Sequence, residues 1–170
     1  MSFEDTPEYQ QSLRMRDACN RVLCNVYGVN ADAIERCTGS ILDRNFAIDM
    51  RIRFGNGSQI TGQEKALTYG FYRFRTFTIE FMQNRFTREK GEFFHIASQF
   101  YLHGYSDSTG IGFAEWYLLD IVKLIPIIAS YSEWELSQHT LSAGRSNATF
   151  LVIEYDKLPP EVIIDHYRTK

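Results

Sequence analysis

The chain has 170 residues, of which 44% are hydrophobic and 15% are aromatic. This is enough apolar material for a folded core, so the composition excludes a disordered chain and predicts a single domain over residues 1–170. The net charge of −3 argues against indiscriminate binding to nucleic acid. No apolar run is long enough to span a bilayer, and the acidic start MSFEDTPEYQ lacks a signal-peptide pattern. We therefore expect a cytoplasmic protein without a membrane partner.

The three cysteines, Cys19, Cys24 and Cys37, are odd in number and have neither a CxxC spacing nor a nearby histidine. They therefore predict neither a disulfide framework nor a zinc site. We expect them to be buried free thiols, as in an intracellular protein.

Two helices are predicted before the first strand. The first begins at Thr6-Pro7, with threonine as the N-cap and proline at the first helical position, and it ends before Gly28. An apolar stripe along this helix predicts that it packs on a sheet. A second, short helix is predicted between Asn30 and Gly39, and it carries Glu35.

The segment from Ile48 to Lys65 predicts a β-hairpin. Alternation along the first strand places Asp49 and the arginines that follow it on a polar face, opposite an apolar one. Gly55-Asn56-Gly57 supplies residues that tolerate positive φ, as a short connection requires. On the returning strand Gln63 and Lys65 share a face, so Asp49 is expected to meet both across the hairpin.

The rest of the chain predicts further strands and one more helix. The predicted elements are a third strand at Tyr72–Phe81, a strand or short helix within Gly91–Tyr105, a loop at Asp107–Gly112, a buried strand and a bend at Pro126 within Phe113–Ile128, a capped helix at Ser132–Ser142 and a strand at Thr149–Tyr155. This order predicts an α+β fold with a central mixed, largely antiparallel sheet flanked by helices.

An aspartate near one strand end, followed on the next antiparallel strand by Gln63, Glu64 and Lys65, resembles the PD-(D/E)XK nuclease superfamily. In that superfamily an aspartate and an acid-x-lysine triplet hold a divalent metal and activate water. Gln63 stands where Asp or Glu is usual, and glutamine is a known variation at this position. The resemblance covers roughly the span from Glu35 to Glu80 and implies a restriction-endonuclease-like fold.

The resemblance also implies a catalytic set of Asp49, Gln63 and Lys65 with a site for Mg²⁺ or Mn²⁺. The metal ligands would be the Asp49 carboxylate, the side-chain oxygen of Gln63 and the backbone carbonyl of Glu64. Oxygen donors of this kind suit Mg²⁺. Lys65 would orient the attacking water or stabilise the charge that builds on the phosphoryl oxygens.

A further acid is expected near this set, because a site with one formal carboxylate would bind Mg²⁺ weakly. Two residues are candidates. Glu35 lies on the predicted helix before the motif, where related nucleases of the superfamily commonly place an additional acid. Glu80 lies on the predicted neighbouring strand. Glu35 is preferred on topology.

Positive charge is concentrated in the middle of the chain. Nine basic and four acidic residues lie between Arg44 and Lys90, a net charge of +5, which leaves −8 for the remainder. Cations hold a nucleic-acid backbone while acids hold the metal. We expect four arginines to line a groove beside the site: Arg51, Arg53, Arg73 and Arg75.

The function predicted from these residues is metal-dependent hydrolysis of phosphodiester bonds, with DNA as the partner. The alternative is a nuclease-fold protein that has lost catalysis and binds nucleic acid or a protein partner. The glutamine at position 63 favours that alternative, because it removes one negative charge from the site. A homodimer is left open. The compact size and the style of the motif also resemble small proteins encoded by phages.

Overall fold

A six-stranded sheet forms the centre of the fold, with a helix on one face and a second sheet on the other. The structure, a computed structural model, describes residues 7–132, 135–136, 139–142 and 147–169. The long first helix, α1 (Pro7–Tyr27), lies on one face of the central sheet. The described residues thus build an α+β fold, as predicted.

The central sheet is mixed and largely antiparallel, which confirms the prediction. In spatial order its strands are β1 (Ile34–Arg36), β2 (Met50–Arg53), β3 (Gln59–Leu67), β6 (Phe100–Ser106), β7 (Phe113–Asp120) and β10 (Ile163–Arg168). The β3–β6 pair is parallel and the other four pairs are antiparallel. A parallel pair needs a crossover connection, and here the crossover passes through the second sheet.

The second sheet has four antiparallel strands and covers the other face. In spatial order they are β5 (Glu89–Lys90), β4 (Thr76–Asn84), β9 (Thr149–Glu154) and β8 (Thr140–Ser142). Phe77 and Ile79 of β4 pack against Tyr101 and Leu119 of the central sheet. The third predicted strand is therefore real, but it begins later than predicted and belongs to this second sheet.

Helix α1 has the predicted extent. It ends at Tyr27, and Gly28 follows with φ of +65°, the left-handed conformation that glycine adopts without a steric penalty. Met15 and Leu23 pack on Met50 of the central sheet, so the apolar stripe faces the core. Thr6, the predicted N-cap, lies outside the described residues.

The prediction of a helix between Asn30 and Gly39 is wrong. A short 3₁₀ turn, Ala31–Ala33, leads into strand β1, which pairs with β2 and carries Glu35. Pairing with a neighbouring strand outweighed the weak local helix propensity. The helix comes later: α2 (Ile41–Phe46) begins after Ser40, whose side chain accepts a hydrogen bond from the Asp43 N–H.

Later elements differ in detail from the predictions. After β7 the chain forms α3 (Ile121–Ala129), which contains Pro126 within the helix instead of bending there, and packs on the core between the sheets. The segment that was either strand or short helix contains both, a 3₁₀ turn at Glu92–Phe94 and strand β6. The capping box of Ser132 and Glu135 is confirmed, because each donates a backbone N–H to the other's side chain. In the part of the chain described, no helix is both long and apolar enough to cross a bilayer.

Candidate active site

The candidate site lies where strand β2 starts and strand β3 continues beyond it. The β2–β3 ladder reaches only to the Met50–Gly62 pair, whereas the ladder between β3 and β6 runs from Gly62 to Leu67. Asp49 directly precedes β2, and its N–H donates to the Gly62 carbonyl at 2.9 Å. The hairpin therefore delivers Asp49 to the edge of β3 that β2 leaves open.

The Asp49 carboxylate contacts the middle of the predicted triplet. Its Oδ2 accepts a hydrogen bond of 2.9 Å from the Glu64 N–H. The N–H and C=O of one strand residue point to the same side, so the Glu64 carbonyl also faces this edge. The Asp49 carboxylate and the Glu64 backbone, whose carbonyl the sequence analysis named as a ligand, thus lie at the same strand edge.

The side chains of the triplet divide between the two faces of the sheet. Gln63 and Lys65 lie opposite Tyr101 and His103 of β6, on the face toward the second sheet. The Glu64 side chain lies on the opposite face, as strand alternation requires. Its Oε1 forms an ion pair of 2.7 Å with Arg36 under helix α1.

The face that carries Gln63 and Lys65 is half-buried by the second sheet, although the sequence predicted an open polar face. The Lys65 ammonium lies 4.8 Å from the centre of the Phe150 ring on β9. Burial lowers the pKa of Lys65, while the carboxylates of Glu92 and Glu80 oppose that shift. Glu80, one of the two predicted further acids, is therefore an electrostatic neighbour of Lys65.

Glu92, together with Lys65 and Glu80, forms a carboxylate cluster on this face. The sequence analysis did not single out Glu92. It lies in the 3₁₀ turn after Gly91, and burial raises the pKa of its carboxyl, with Lys65 and Tyr101 acting in the opposite direction. A Cβ at Gly91 would stand 2.7 Å from the Glu80 carbonyl, so only glycine lets the turn approach β4 this closely. The signal available in the sequence was a single carboxylate after a glycine in the aromatic stretch GEFFHIASQFY.

The carboxyl of Asp49 has a strongly raised pKa. Burial raises the pKa of Asp49 to about 8, and the charges of Glu64, Asp43 and Glu92 add to that rise. The hydrogen bond from the Glu64 N–H acts in the opposite direction. A carboxyl held this way needs a positive partner to stay ionised at neutral pH.

Two other residues of this region contribute buried side-chain oxygens, the donor type that hard cations such as Mg²⁺ prefer. Gln63 Oε1 and Glu92 Oε1 are buried oxygens without a hydrogen-bond partner in the described part of the chain. No group of three or more His, Cys, Asp or Glu side chains within the same described residues is arranged to hold a metal. A metal site at Asp49 would therefore need neutral oxygens, such as the Gln63 amide and the Glu64 carbonyl, in addition to carboxylates.

Glu35, the preferred further acid, lies on strand β1 and not on a helix. Its carboxylate accepts hydrogen bonds from Arg51 at 2.7 Å and from Arg53 at 2.5 Å. Glu35 is therefore committed to two of the arginines that were expected to bind nucleic acid, and it offsets much of their charge. We do not include Glu35 in the candidate metal site.

The other two predicted arginines have different environments. Arg75 adopts φ of +46° and forms a two-bond ion pair with Glu115, whose side chain is 0% exposed, and a second pair with Asp156. It is a structural residue that joins the two sheets. Arg73 is exposed, and its guanidinium stacks on the ring of Phe74 at 4.8 Å. Of this pair, Arg73 has the accessible charge.

A buried histidine packs beside Lys65, between the two sheets. His103 lies beside Lys65 in the sheet; its Nδ1 is 2.6 Å from the Tyr155 hydroxyl, and its Nε2 is 3.2 Å from Thr78 Oγ1. Burial, together with the nearby Lys65 charge, lowers the pKa of His103 well below its usual range. The imidazole is therefore neutral, and it bridges the two sheets below the lysine.

Comparison with known proteins gives no relative. No protein-family model matches the chain, no curated protein is significantly similar, and no solved structure matches the fold.

Proposed function

We propose that this protein is a metal-dependent nuclease that hydrolyses phosphodiester bonds of DNA, on a restriction-endonuclease-like arrangement of β2, β3 and β6. One observation carries the proposal. The Asp49 carboxylate accepts a hydrogen bond from the backbone of the Gln63-Glu64-Lys65 triplet where β3 continues beyond β2, and Gln63 of this triplet has a buried oxygen without a partner in the described chain. This combination of an aspartate, neutral oxygen donors and a lysine is suited to phosphoryl chemistry.

Four groups of this chain would hold a divalent cation, Mg²⁺ or Mn²⁺. They are the Asp49 carboxylate, the Gln63 side-chain oxygen, the Glu64 carbonyl and the Glu92 carboxylate. A bound Mg²⁺ supplies a water of lowered pKa and neutralises charge on phosphate oxygens. Glu92 replaces Glu35 as the further acid, because Glu92 acts electrostatically on Asp49 whereas Glu35 pairs with two arginines.

Lys65 provides positive charge at the reacting phosphate. Its stem is enclosed between the sheets, with the ammonium against Phe150 and near Glu92 and Glu80. A lysine that is partly desolvated and held by packing stabilises developing negative charge more effectively than a mobile surface lysine. The hydrogen bond between His103 and Tyr155 joins the two sheets and holds the strand next to Lys65 in place.

One observation favours a second function: few charged side chains near Asp49 are available to bind a metal. Gln63 removes one negative charge, and no three-residue group of acids, histidines or cysteines in the described residues suits a metal. The alternative is thus a nuclease-fold protein without catalysis that binds nucleic acid or a protein. A cytoplasmic location is part of the proposal in both cases. It is supported by the free state of Cys19, Cys24 and Cys37.

Metal binding and cleavage together test the proposal. Titration calorimetry with Mn²⁺ and Mg²⁺ should detect binding to the wild type, and at least one of labelled duplex, single-stranded and branched DNA should be cleaved when metal is present. Asp49→Ala should abolish both signals by removing the central ligand. Asp17→Ala, which changes an exposed carboxylate on α1, is the matched control and should alter neither. Absence of both metal binding and cleavage in the wild type would favour the binding protein.

A further inference from the structure

A cavity of about 220 Å³ lies between helix α1 and the open edge of strand β3. Helix α1 contributes Gln11 and Cys19 to its wall, and β3 contributes Lys65 and Leu67. Phe71, in the 3₁₀ turn that follows β3 (Tyr69–Phe74), completes the wall. Glu64 also lines this cavity, and its backbone N–H donates to Asp49. A group bound in the cavity would therefore lie on the α1 side of β3, across the strand from the Lys65 ammonium.

Two polar atoms in this cavity have no partner among the described residues. Gln11 is only 6% exposed, and its Nε2 makes no hydrogen bond in the described chain. Glu64 uses Oε1 for Arg36 and its carboxylate also lies against the Cys19 thiol, while the buried Oε2 has no nitrogen or oxygen donor in that part of the chain. Burying an unsatisfied donor or acceptor costs about 1–3 kcal/mol. A ligand that carries both an acceptor and a donor would satisfy the two atoms at once.

The mouth of the cavity is aromatic and exposed. Phe71 is 55% exposed, and Tyr69 and Phe74 of the same turn are also exposed. Arg73, stacked on Phe74, makes no ion pair within the described residues. Exposed aromatic rings beside an available cation are the combination with which proteins stack the bases and hold the phosphates of single-stranded nucleic acid.

We propose that this cavity binds one unstacked base of a single-stranded nucleic acid whose backbone crosses the open edge of β3. Phe71 stacks on the base, Gln11 donates to one of its acceptors, and Glu64 accepts from one of its amino or imino groups. The cavity suits one planar heterocycle, because drug-sized ligands occupy roughly 300–1,000 Å³. The proposal rests on the proposed nuclease function and adds the substrate class, an unpaired strand rather than a closed duplex.

Binding without metal tests this proposal independently of catalysis. Fluorescence anisotropy in EDTA is measured with a labelled single-stranded 12-mer, an abasic strand of the same length and a closed hairpin duplex. The wild type should prefer the base-containing strand to both other probes. Phe71→Ala should weaken binding of that strand by about 5- to 100-fold. Gln11→Met, which keeps the volume and removes the donor, should weaken it by about 3- to 10-fold.

The matched control is Phe86→Ala. Phe86 is also an exposed phenylalanine stacked by an arginine, Arg85, but it lies on the turn between β4 and β5. This variant should bind all three probes as the wild type does. Equal affinity of the wild type for the abasic and base-containing strands, or no effect of Phe71→Ala, would overturn the base pocket.

Two further outcomes separate this proposal from its alternatives. If no variant or metal gives cleavage but the binding pattern is as expected, the base pocket is supported and the nuclease function fails. If Asp49 is required for cleavage while Phe71→Ala and Gln11→Met leave binding unchanged, the nuclease function stands and the base pocket fails. A wild-type dimer in light scattering that Phe71→Ala dissociates, without an effect on binding, would assign the patch to self-association and overturn the proposal.

Discussion

Replacing Asp49 with asparagine should stabilise the metal-free protein while removing its proposed activity. Asparagine keeps the side-chain oxygen that accepts the Glu64 N–H, so the local hydrogen bond is retained. It also removes the carboxyl that burial makes difficult to ionise. Stability and function should therefore respond to this substitution in opposite directions, as expected of a residue kept for its chemistry.

The size of the effect follows from the pKa of Asp49. That pKa rises from 3.8 to about 8 on folding. The native state thus binds a proton that the unfolded chain has already released, and the stability associated with Asp49 is lost as pH rises from about 4 through about 8. At neutral pH the shift is worth about 4 kcal/mol as an upper limit, since one pKa unit is about 1.4 kcal/mol. Water access and relaxation should leave about 1–3 kcal/mol.

Urea unfolding in EDTA measures this difference across the pH range. Wild type and Asp49→Asn should be equally stable at about pH 4, and the variant should gain with pH until the difference levels off at about pH 8–9. Added Mg²⁺ should stabilise the wild type, because binding to the native state alone raises its unfolding free energy. The variant should respond little, so metal should narrow the gap.

Asp120→Asn provides the control. Asp120 is the N-cap of α3, its side chain accepts the Lys123 N–H, and asparagine is an equally good N-cap, so stability should change by less than about 0.5 kcal/mol. A stability difference between wild type and Asp49→Asn that does not grow with pH, or an asparagine variant less stable than wild type at about pH 8, would refute the reasoning about Asp49.

Three further substitutions test other parts of the site and fold. Gln63→Glu should tighten Mg²⁺ binding by about tenfold in calorimetry, since it adds a charged oxygen ligand, and unchanged affinity would remove Gln63 from the ligand set. Lys65→Met should slow cleavage by at least about 100-fold with metal binding retained; equal loss of both would show that Lys65 acts on the fold and not on the reaction. Glu115→Gln leaves Arg75 without its buried charge partner and should lower the unfolding free energy by about 2–4 kcal/mol in urea, whereas a loss below about 1 kcal/mol would make the pair dispensable.

Local sequence patterns determined those helices and strands that are stabilised by residues close in sequence. Helix α1 was predictable because its proline start, apolar stripe and Gly28 act within one helix. The β2–β3 hairpin was predictable because the turn residues and the alternation fix its register. That register brings the Asp49 carboxylate to the backbone of the triplet, where it accepts a hydrogen bond from the Glu64 N–H.

The tertiary structure decided which surfaces stay open and which charges remain available. Alternation showed that Gln63 and Lys65 share a face, but a second sheet covers that face, and nothing in the period of a strand reveals which sheet will pack on it. Glu35 is not part of the candidate site, because its segment pairs as a strand and its carboxylate forms ion pairs with two arginines.

Glu92 is a residue of the candidate site that local sequence patterns could not identify. It is far from Asp49 in sequence, on a turn brought in by the crossover between β3 and β6, and only that long-range packing gives it a role. Turns, caps and periodicity act over a few residues, and the sequence by itself therefore determined α1, the hairpin and the Asp49 motif. Burial, ion pairing and the base-sized cavity arise between segments that belong to different elements of the fold, so the folded structure alone decided them.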